Sequence, residues 1–236
     1  MMPKENLLLI PGMLSDELLW QPQIDVLSTE VNIFVGDVTT HETVNRMAES
    51  ILQQVPEKIA VAGFSMGGLV ALEIARQAPE RITKLALLDT NPFPLKEDQI
   101  AWWDRFMEMV EVEGFIQVIK DRLLPGFVHQ KSRHDVNLMS TIIQMVNRVG
   151  KEAMFRQIHA IQSGPSTEGL PELAIPTIVI AGREDALCPL RIQNSIIENM
   201  PYAELFILEQ CGHMSTLEQS KAVTDILQAW LRGKSE

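Results

Sequence analysis

Residues 59–69 read IAVAGFSMGGL, and this stretch decides the fold of the chain. The apolar, partly β-branched run 59–62 is typical of a strand that is covered on both faces. A helix is predicted over 66–77, because Pro79 stops it. The sharp turn between them forces Ser65 toward a positive φ, at a cost of about 1–3 kcal/mol. The sequence therefore predicts a hydroxyl held clear of the backbone, at the carboxyl end of a strand and beside a helix N-terminus.

Glycines flank this serine in the pattern Gly-x-Ser-x-Gly. Gly63 and Gly67 allow the strand and the helix to approach closely enough for the turn. The five letters alone occur by chance on the order of a few times per hundred such chains. The strand before them, the helix after them and the additional Gly68 make the pattern more specific. The alternative interpretation is a glycine-rich turn with an ordinary serine.

Composition limits the class of protein. The chain has 236 residues, of which 46% are apolar and 22% charged, so one α/β domain, with or without an insertion, is expected. A net charge of −11 argues against nucleic acid and against an anionic membrane surface as partners. No apolar run is long enough to span a membrane, and the run at 7–11 is too short for a signal peptide. A cytoplasmic protein is therefore expected.

The cysteines, Cys188 and Cys211, suggest neither a disulfide framework nor a metal site. No Cys-x-x-Cys or other metal-ligand spacing is present. Both are interpreted as small, buried, apolar side chains.

Strand and helix patterns alternate along most of the chain. Apolar runs predict further strands at 7–10, 31–35, 84–88, 176–181 and 203–208. From about 93 to 168 the strand pattern is absent, and helices are predicted at 95–112, 113–124, 136–149 and 151–163. The alternation predicts a mostly parallel sheet with helices on both faces, and ligands bind such sheets beyond the carboxyl ends of the strands.

Chemically suggestive residues follow the predicted strands in the order Ser65, Asp185, His213. A serine hydroxyl is a poor nucleophile until a base takes its proton, and a histidine can do so near neutral pH. A carboxylate behind the histidine fixes its tautomer and stabilises its cation. The sequence thus offers the parts of a nucleophilic triad on one edge of the sheet. Asp89, which follows the strand at 84–88, is the rival acid.

At these residues the chain resembles the α/β-hydrolase superfamily, and within it the cap-bearing, carboxylesterase-like serine hydrolases. Three segments carry the resemblance: the nucleophile elbow 63–68, the acid loop 182–185 with Pro189, and the histidine loop Gly212-His213. The resemblance implies a core at 1–91 and 172–236 and a helical cap inserted at 92–171. Family members often have one or two strands before the one that corresponds to 7–10, whereas this sequence begins almost directly with it, so a smaller sheet of about six strands is expected.

The resemblance also assigns roles. Ser65 would be the nucleophile, His213 the general base and then acid, and Asp185 its partner. The backbone N–H groups of Met13 and Met66 would form the oxyanion hole. Many cap-bearing members have His-Gly before this loop position, whereas this chain has Pro11-Gly12, so only the glycine matches. No cofactor and no metal are required.

The expected activity is hydrolysis of a small, partly apolar carboxylic ester through an acyl-enzyme. The alternatives on the same triad are a C–C bond hydrolase or a thioesterase, and a non-catalytic ligand-binding homologue is a third. Met13, Met66 and Trp20 are predicted to bind substrate. Helical spacing does not distinguish a pocket wall from a core position for five of the apolar side chains: Trp20, Trp102, Trp103, Phe106 and Met107. The sequence does not identify the substrate or the oligomeric state.

Overall fold

Six parallel strands form one sheet, in the order β2-β1-β3-β4-β5-β6, in the computed structural model, which describes residues 4–164, 175–200 and 202–233. The strands are β1 Asn6–Ile10, β2 Asn32–Val35, β3 Ile59–Phe64, β4 Ile82–Leu88, β5 Thr177–Gly182 and β6 Ala203–Leu208. The predicted α/β class, strand number and parallel sheet are confirmed.

Helices connect these strands. They are α1 Gln21–Leu27, α2 Val44–Leu52, α3 Met66–Gln77, α4 Glu97–Glu113, α5 Phe115–Val118, α6 Leu124–Phe127, α7 Val136–Ser163, α8 Leu190–Asn199, α9 Ser215–Glu218 and α10 Ser220–Leu231. Single turns of 3-10 helix lie at Glu17–Trp20, Pro79–Arg81 and Ser132–His134, and a π-helical turn lies at Ile119–Leu123. No helix in the described part of the chain is long and apolar enough to cross a membrane.

The sheet is covered on both faces, because alternate side chains of its central strands enter different cores. Ala60, Ala62 and Phe64 of β3 pack into one apolar cluster, which also receives side chains from the helices between β4 and β5. Ile59 and Val61 pack into the other cluster, which lies against α2 and α3. Every residue of β3 is buried, as the continuous apolar run predicted.

The β3–α3 turn is built on close backbone contact. A Cβ atom on Gly63 would lie 2.2 Å from the carbonyl oxygen of Gly67, and one on Gly67 would lie 2.3 Å from the carbonyl oxygen of Ile10. Ser65 has φ 53° and ψ −119°. The strand therefore passes directly into the helix, and the serine sits at the apex of the turn, as the sequence predicted.

The described part of the segment between β4 and β5 contains helices joined by short loops and no strand. Gly150 interrupts α7 with φ 78°, at the position where the sequence predicted one helix to end and another to begin. The predicted helix 113–124 is instead broken into α5, the π-helical turn and α6. The domain boundaries at 92 and 171 stay a prediction, and residues 165–174 lie outside the described part of the chain.

Replacement of Gly63 tests the close contact at the turn. Gly63→Ala should lower the free energy of unfolding by about 2 kcal/mol or more, because the added methyl group meets backbone atoms that cannot move aside. Urea unfolding followed by circular dichroism measures the change.

Gly126→Ala is the matched control. Its added Cβ would meet only the Leu187 side chain, at 3.5 Å, so its stability should be unchanged or slightly higher. Equal stability of the two variants would contradict the argument.

Candidate active site

Three loops bring Ser65, His213 and Asp185 together at the carboxyl edge of the sheet. The loops follow β3, β6 and β5 respectively. His213 Nε2 lies 3.0 Å from Ser65 Oγ, and His213 Nδ1 lies 2.8 Å from Asp185 Oδ2. Because an ionised carboxylate only accepts hydrogen bonds, Nδ1 carries the proton and Nε2 is free to accept the serine proton.

Asp185 is held in place by the backbone of its own loop. Its Oδ1 accepts hydrogen bonds from the N–H groups of Leu187 at 2.8 Å and Cys188 at 2.9 Å, while Oδ2 faces the imidazole. The residue is 3% exposed. The carboxylate orientation is thus fixed before any substrate arrives.

The imidazole of His213 is buried beside negative charge. Burial acts to lower the pKa of His213, but the charge and hydrogen bond of Asp185 outweigh it, with smaller contributions from Asp89 and Glu218. The net effect is a pKa raised above the usual 6.5. His213 also packs against the ring of Phe64, at a centroid distance of 5.1 Å. The environment therefore favours the imidazolium that forms when the serine gives up its proton.

Asp89 lies close to Asp185 and His213. Among the hydrogen bonds of the described residues, none joins Asp89 to the imidazole of His213. Its Oδ1 accepts the N–H of Gly182 at 2.8 Å, and its Oδ2 is paired with the hydroxyl of Ser215. Burial, followed by the charge of Asp185, raises the pKa of Asp89 to about 8. Through these two hydrogen bonds Asp89 links the loops after β4, β5 and β6.

The loop after β1 passes directly beside the serine. A Cβ on Gly12 would lie 3.1 Å from Ser65 Cβ, so only a glycine permits this approach without displacement. The next turn is fixed by the fully buried Gln157 of α7, whose Oε1 accepts the N–H of Leu14 at 3.0 Å. Met66 is the first residue of α3, next to Ser65. Met13 and Met66 both line the cavity at the serine.

A cavity of about 600 Å³ opens above the serine and histidine. This volume is in the range of small-molecule sites. Its walls are mostly apolar and come from the elbow, from α4, from the π-helical turn and α6, and from the loops after β5 and β6. They include Trp102, Trp103, Leu123, Phe127, Leu187 and Met214. Arg105, Asp98 and Gln99 supply polar atoms on the α4 side.

Trp20 is a correction to the sequence prediction. It is not among the residues that line this cavity, and its side chain is fully buried in the apolar cluster beneath. Helical spacing identified its buried face correctly but could not distinguish core from pocket. Phe106 is likewise fully buried, whereas Trp102 and Trp103 reach the cavity.

The sequence analysis did not identify three residues that support the loops of the site. Thr90 Oγ1 donates to the carbonyl oxygen of Ser65 at 2.6 Å, Gln157 holds the loop after β1, and Glu218 contacts the histidine loop. Thr90 lies two residues after the end of β4, and this position is the only signal that the sequence offers for it. Nothing in the sequence indicates the directions of the other two side chains.

Ligand atoms of Asp185, Cys188 and His213 lie within 4.8 Å of one another, the kind of grouping that can hold a metal ion. Asp185 and His213 are already hydrogen-bonded to each other. Burial, followed by the charges of Asp185 and Asp89, raises the pKa of the Cys188 thiol well above its usual value. The atoms of Asp185 and His213 that a metal would need already take part in hydrogen bonds within the site.

These features define a class: an α/β protein with a nucleophile elbow and a histidine–carboxylate pair at the carboxyl edge of a parallel sheet. The family model described as "alpha/beta hydrolase fold" matches residues 7–220. The chain belongs to the α/β-hydrolase fold family. The predicted family, fold and hydrolase class are thereby confirmed.

Individual relatives agree with this result. The chain is 24% identical over 233 residues to the pimeloyl-[acyl-carrier protein] methyl ester esterase of Legionella pneumophila, covering 96% of this chain and 95% of that protein. It is 22% identical over 230 residues to the enzyme of the same name from Vibrio campbellii, covering 92% and 91%. Among solved structures, an esterase from Thermogutta terrifontis is similar at 26% identity and a TM-score of 0.86, covering 98% of this chain and 90% of that one.

Substitution of the two buried aspartates tests which one orients His213. Asp185→Asn should lower kcat by about 10⁴-fold, because the amide cannot hold the same tautomer. Asp89→Asn should cost far less, since Asp89 has no hydrogen bond to the imidazole. Steady-state kinetics on a p-nitrophenyl ester measures both values, and a larger loss for Asp89→Asn would overturn the assignment.

The raised pKa of His213 predicts the pH profile. A raised pKa means that the imidazole keeps its proton to higher pH, so the neutral base becomes available only above the usual 6.5. The acid limb of kcat/KM should therefore have its midpoint above pH 6.5. A midpoint below that value would contradict the electrostatic description.

Proposed function

We propose that this chain is a serine hydrolase of carboxylic esters, in which Ser65 is the nucleophile, His213 the general base and Asp185 its partner. The observation that supports this most strongly is the continuous hydrogen-bonded series from Ser65 Oγ through His213 to Asp185. A serine with φ 53° at the mouth of an apolar cavity is the second support.

The reaction proceeds in two halves. Ser65 Oγ attacks the ester carbonyl carbon while Nε2 of His213 takes the hydroxyl proton. The resulting oxyanion accepts hydrogen bonds from the backbone N–H groups of Met13 and Met66. The tetrahedral adduct collapses, the C–O bond breaks, and the alcohol leaves with the proton from His213.

Water completes the cycle by the same route. It attacks the acyl carbon as Nε2 of His213 takes its proton, and the acid is released when that proton returns to Ser65 Oγ. Asp185 orients and stabilises the imidazolium in both halves. These steps require no cofactor.

We propose a short-alcohol ester of a medium-length, largely apolar acyl group as the substrate. The apolar walls of the cavity favour such an acyl chain, and a methyl ester is the bond named for the relatives above. A nucleic-acid partner is not proposed, because a net charge of −11 repels phosphate. A cytoplasmic location stays a prediction from the sequence.

Covalent labelling tests the nucleophile. The wild-type protein should react with a fluorophosphonate probe, and Ser65→Ala should lose both the label and the ester turnover. Ser195→Ala, which removes a half-buried helical hydroxyl on α8 that bonds only to the carbonyl oxygen of Arg191 among the described residues, is the matched control and should keep both. Intact, folded wild-type protein that takes no label would favour the non-catalytic alternative.

An acyl-chain series tests the substrate class. Methyl and p-nitrophenyl esters of two to ten carbons should show kcat/KM rising with chain length until the cavity is filled. Trp102→Ala should raise KM for the longer esters by about tenfold, because it removes an aromatic wall, and should leave the acetyl ester unchanged. A flat dependence on chain length would contradict the proposed acyl site.

A further inference from the structure

Glu218 joins two parts of the molecule that are distant in sequence. From its place at the end of α9, Oε1 accepts the N–H of Gly212 at 3.0 Å, and Oε2 accepts the N–H of His129 at 2.8 Å. Gly212 precedes His213, and His129 lies in the helical segment between β4 and β5. One carboxylate therefore holds the histidine loop and that segment together.

Two further contacts make this junction tight. Met214 donates its N–H to the carbonyl oxygen of Phe127 at 2.9 Å, on the other side of His213. A Cβ on Gly212 would lie 2.3 Å from the nitrogen of His129, so the two backbones touch. His213 is thus flanked on both sides by backbone contacts to residues 127–129.

The same segment shapes the acyl cavity. Phe127 lines the cavity, and its ring centroid lies 6.3 Å from that of His213. A shift of the segment would move the cavity wall and the imidazole together. The position of the base is therefore linked to the wall that an acyl group would contact.

Glu218 also acts on the imidazole through its charge. Three carboxylates face His213: Asp185 in the loop after β5, Asp89 in the loop after β4, and Glu218 at the end of α9. All three raise the pKa of His213. Asp185 is the strongest of these contributors, and Glu218 is the weakest. Glu218 contacts neither the serine nor the imidazole by any hydrogen bond among the described residues.

We propose that Glu218 is a positioning residue, which locks residues 127–129 to the histidine loop and so holds Nε2 of His213 in line with Ser65 Oγ. Both carboxylate oxygens are needed, because each accepts one backbone N–H. An amide offers a single acceptor oxygen, so it can satisfy only one of the two donors. The kinetic part of this inference rests on the proposed function.

Glu218→Gln is the first test. The imidazole loses part of its support, so kcat should fall about 10- to 100-fold on the p-nitrophenyl ester, since small misplacements of a reacting group cost rates of this order. Loss of the negative charge should also lower the pKa of His213, which moves the acid limb of the pH profile to lower pH. A role confined to stability would lower the thermal midpoint and leave both readouts unchanged.

Asp135→Asn is the matched control. Asp135 is an exposed carboxylate whose Oδ1 also accepts two backbone N–H groups, those of Asn137 at 3.0 Å and Leu138 at 3.1 Å, at the start of α7. It lies outside the proposed machinery, so kcat and the acid limb should stay as in the wild type.

Glu218→Asp distinguishes the effect of side-chain length from the effect of charge. The shorter side chain keeps the charge but cannot span both donors, so kcat should fall while the pKa of His213 stays close to that of the wild type. This variant also decides the matter if Glu218→Gln does not fold. A kcat within twofold of wild type in the folded variants overturns the proposal.

A measurement without turnover keeps this inference distinct from the proposed function. Amide hydrogen exchange at Gly212 and His129, and the His213 pKa from NMR, should both change in Glu218→Gln even if no ester is cleaved. If amide exchange at Gly212 and His129 and the pKa of His213 are unchanged in Glu218→Gln, Glu218 does not have the proposed positioning role. A folded wild-type protein that neither reacts with the fluorophosphonate probe nor cleaves esters would instead contradict the hydrolase proposal.

Discussion

The backbone at Ser65 is the constraint on which the site depends. A non-glycine residue at φ 53° is strained, and such strain persists only where the surroundings over-determine it. Here β3 is buried along its whole length, and Gly63 and Gly67 let α3 begin immediately against β1. The core therefore holds the turn, and the turn places the hydroxyl at the sheet edge, where a base can reach it.

The parallel sheet supplies the rest of the arrangement. Because parallel strands end at one edge, residues from loops far apart in sequence meet there, and Ser65, Asp185 and His213 need no large excursions. Burial of the acid and the base lowers the local dielectric and strengthens their interaction. Asp89 adds a buried carboxyl that joins the same loops through its hydrogen bonds to Gly182 and Ser215.

Local patterns in the sequence were sufficient for the strands, for the elbow and for the residues that meet at Ser65. Each of these depends on short-range signals: apolar runs, glycine spacing and the position of a polar residue after a strand. The structure added what depends on side-chain direction. Trp20 packs in the core although its spacing also fitted a pocket wall, and the contacts of Gln157 and Glu218 join segments that no local pattern connects.

The most direct test is a crystal structure of the protein after inactivation by a fluorophosphonate. We expect phosphorus bonded to Ser65 Oγ, with the phosphoryl oxygen about 3 Å from the backbone nitrogens of both Met13 and Met66. We also expect the imidazole of His213 to stay beside Oγ. Phosphorus on another residue, or a phosphoryl oxygen turned away from both nitrogens, would contradict the account.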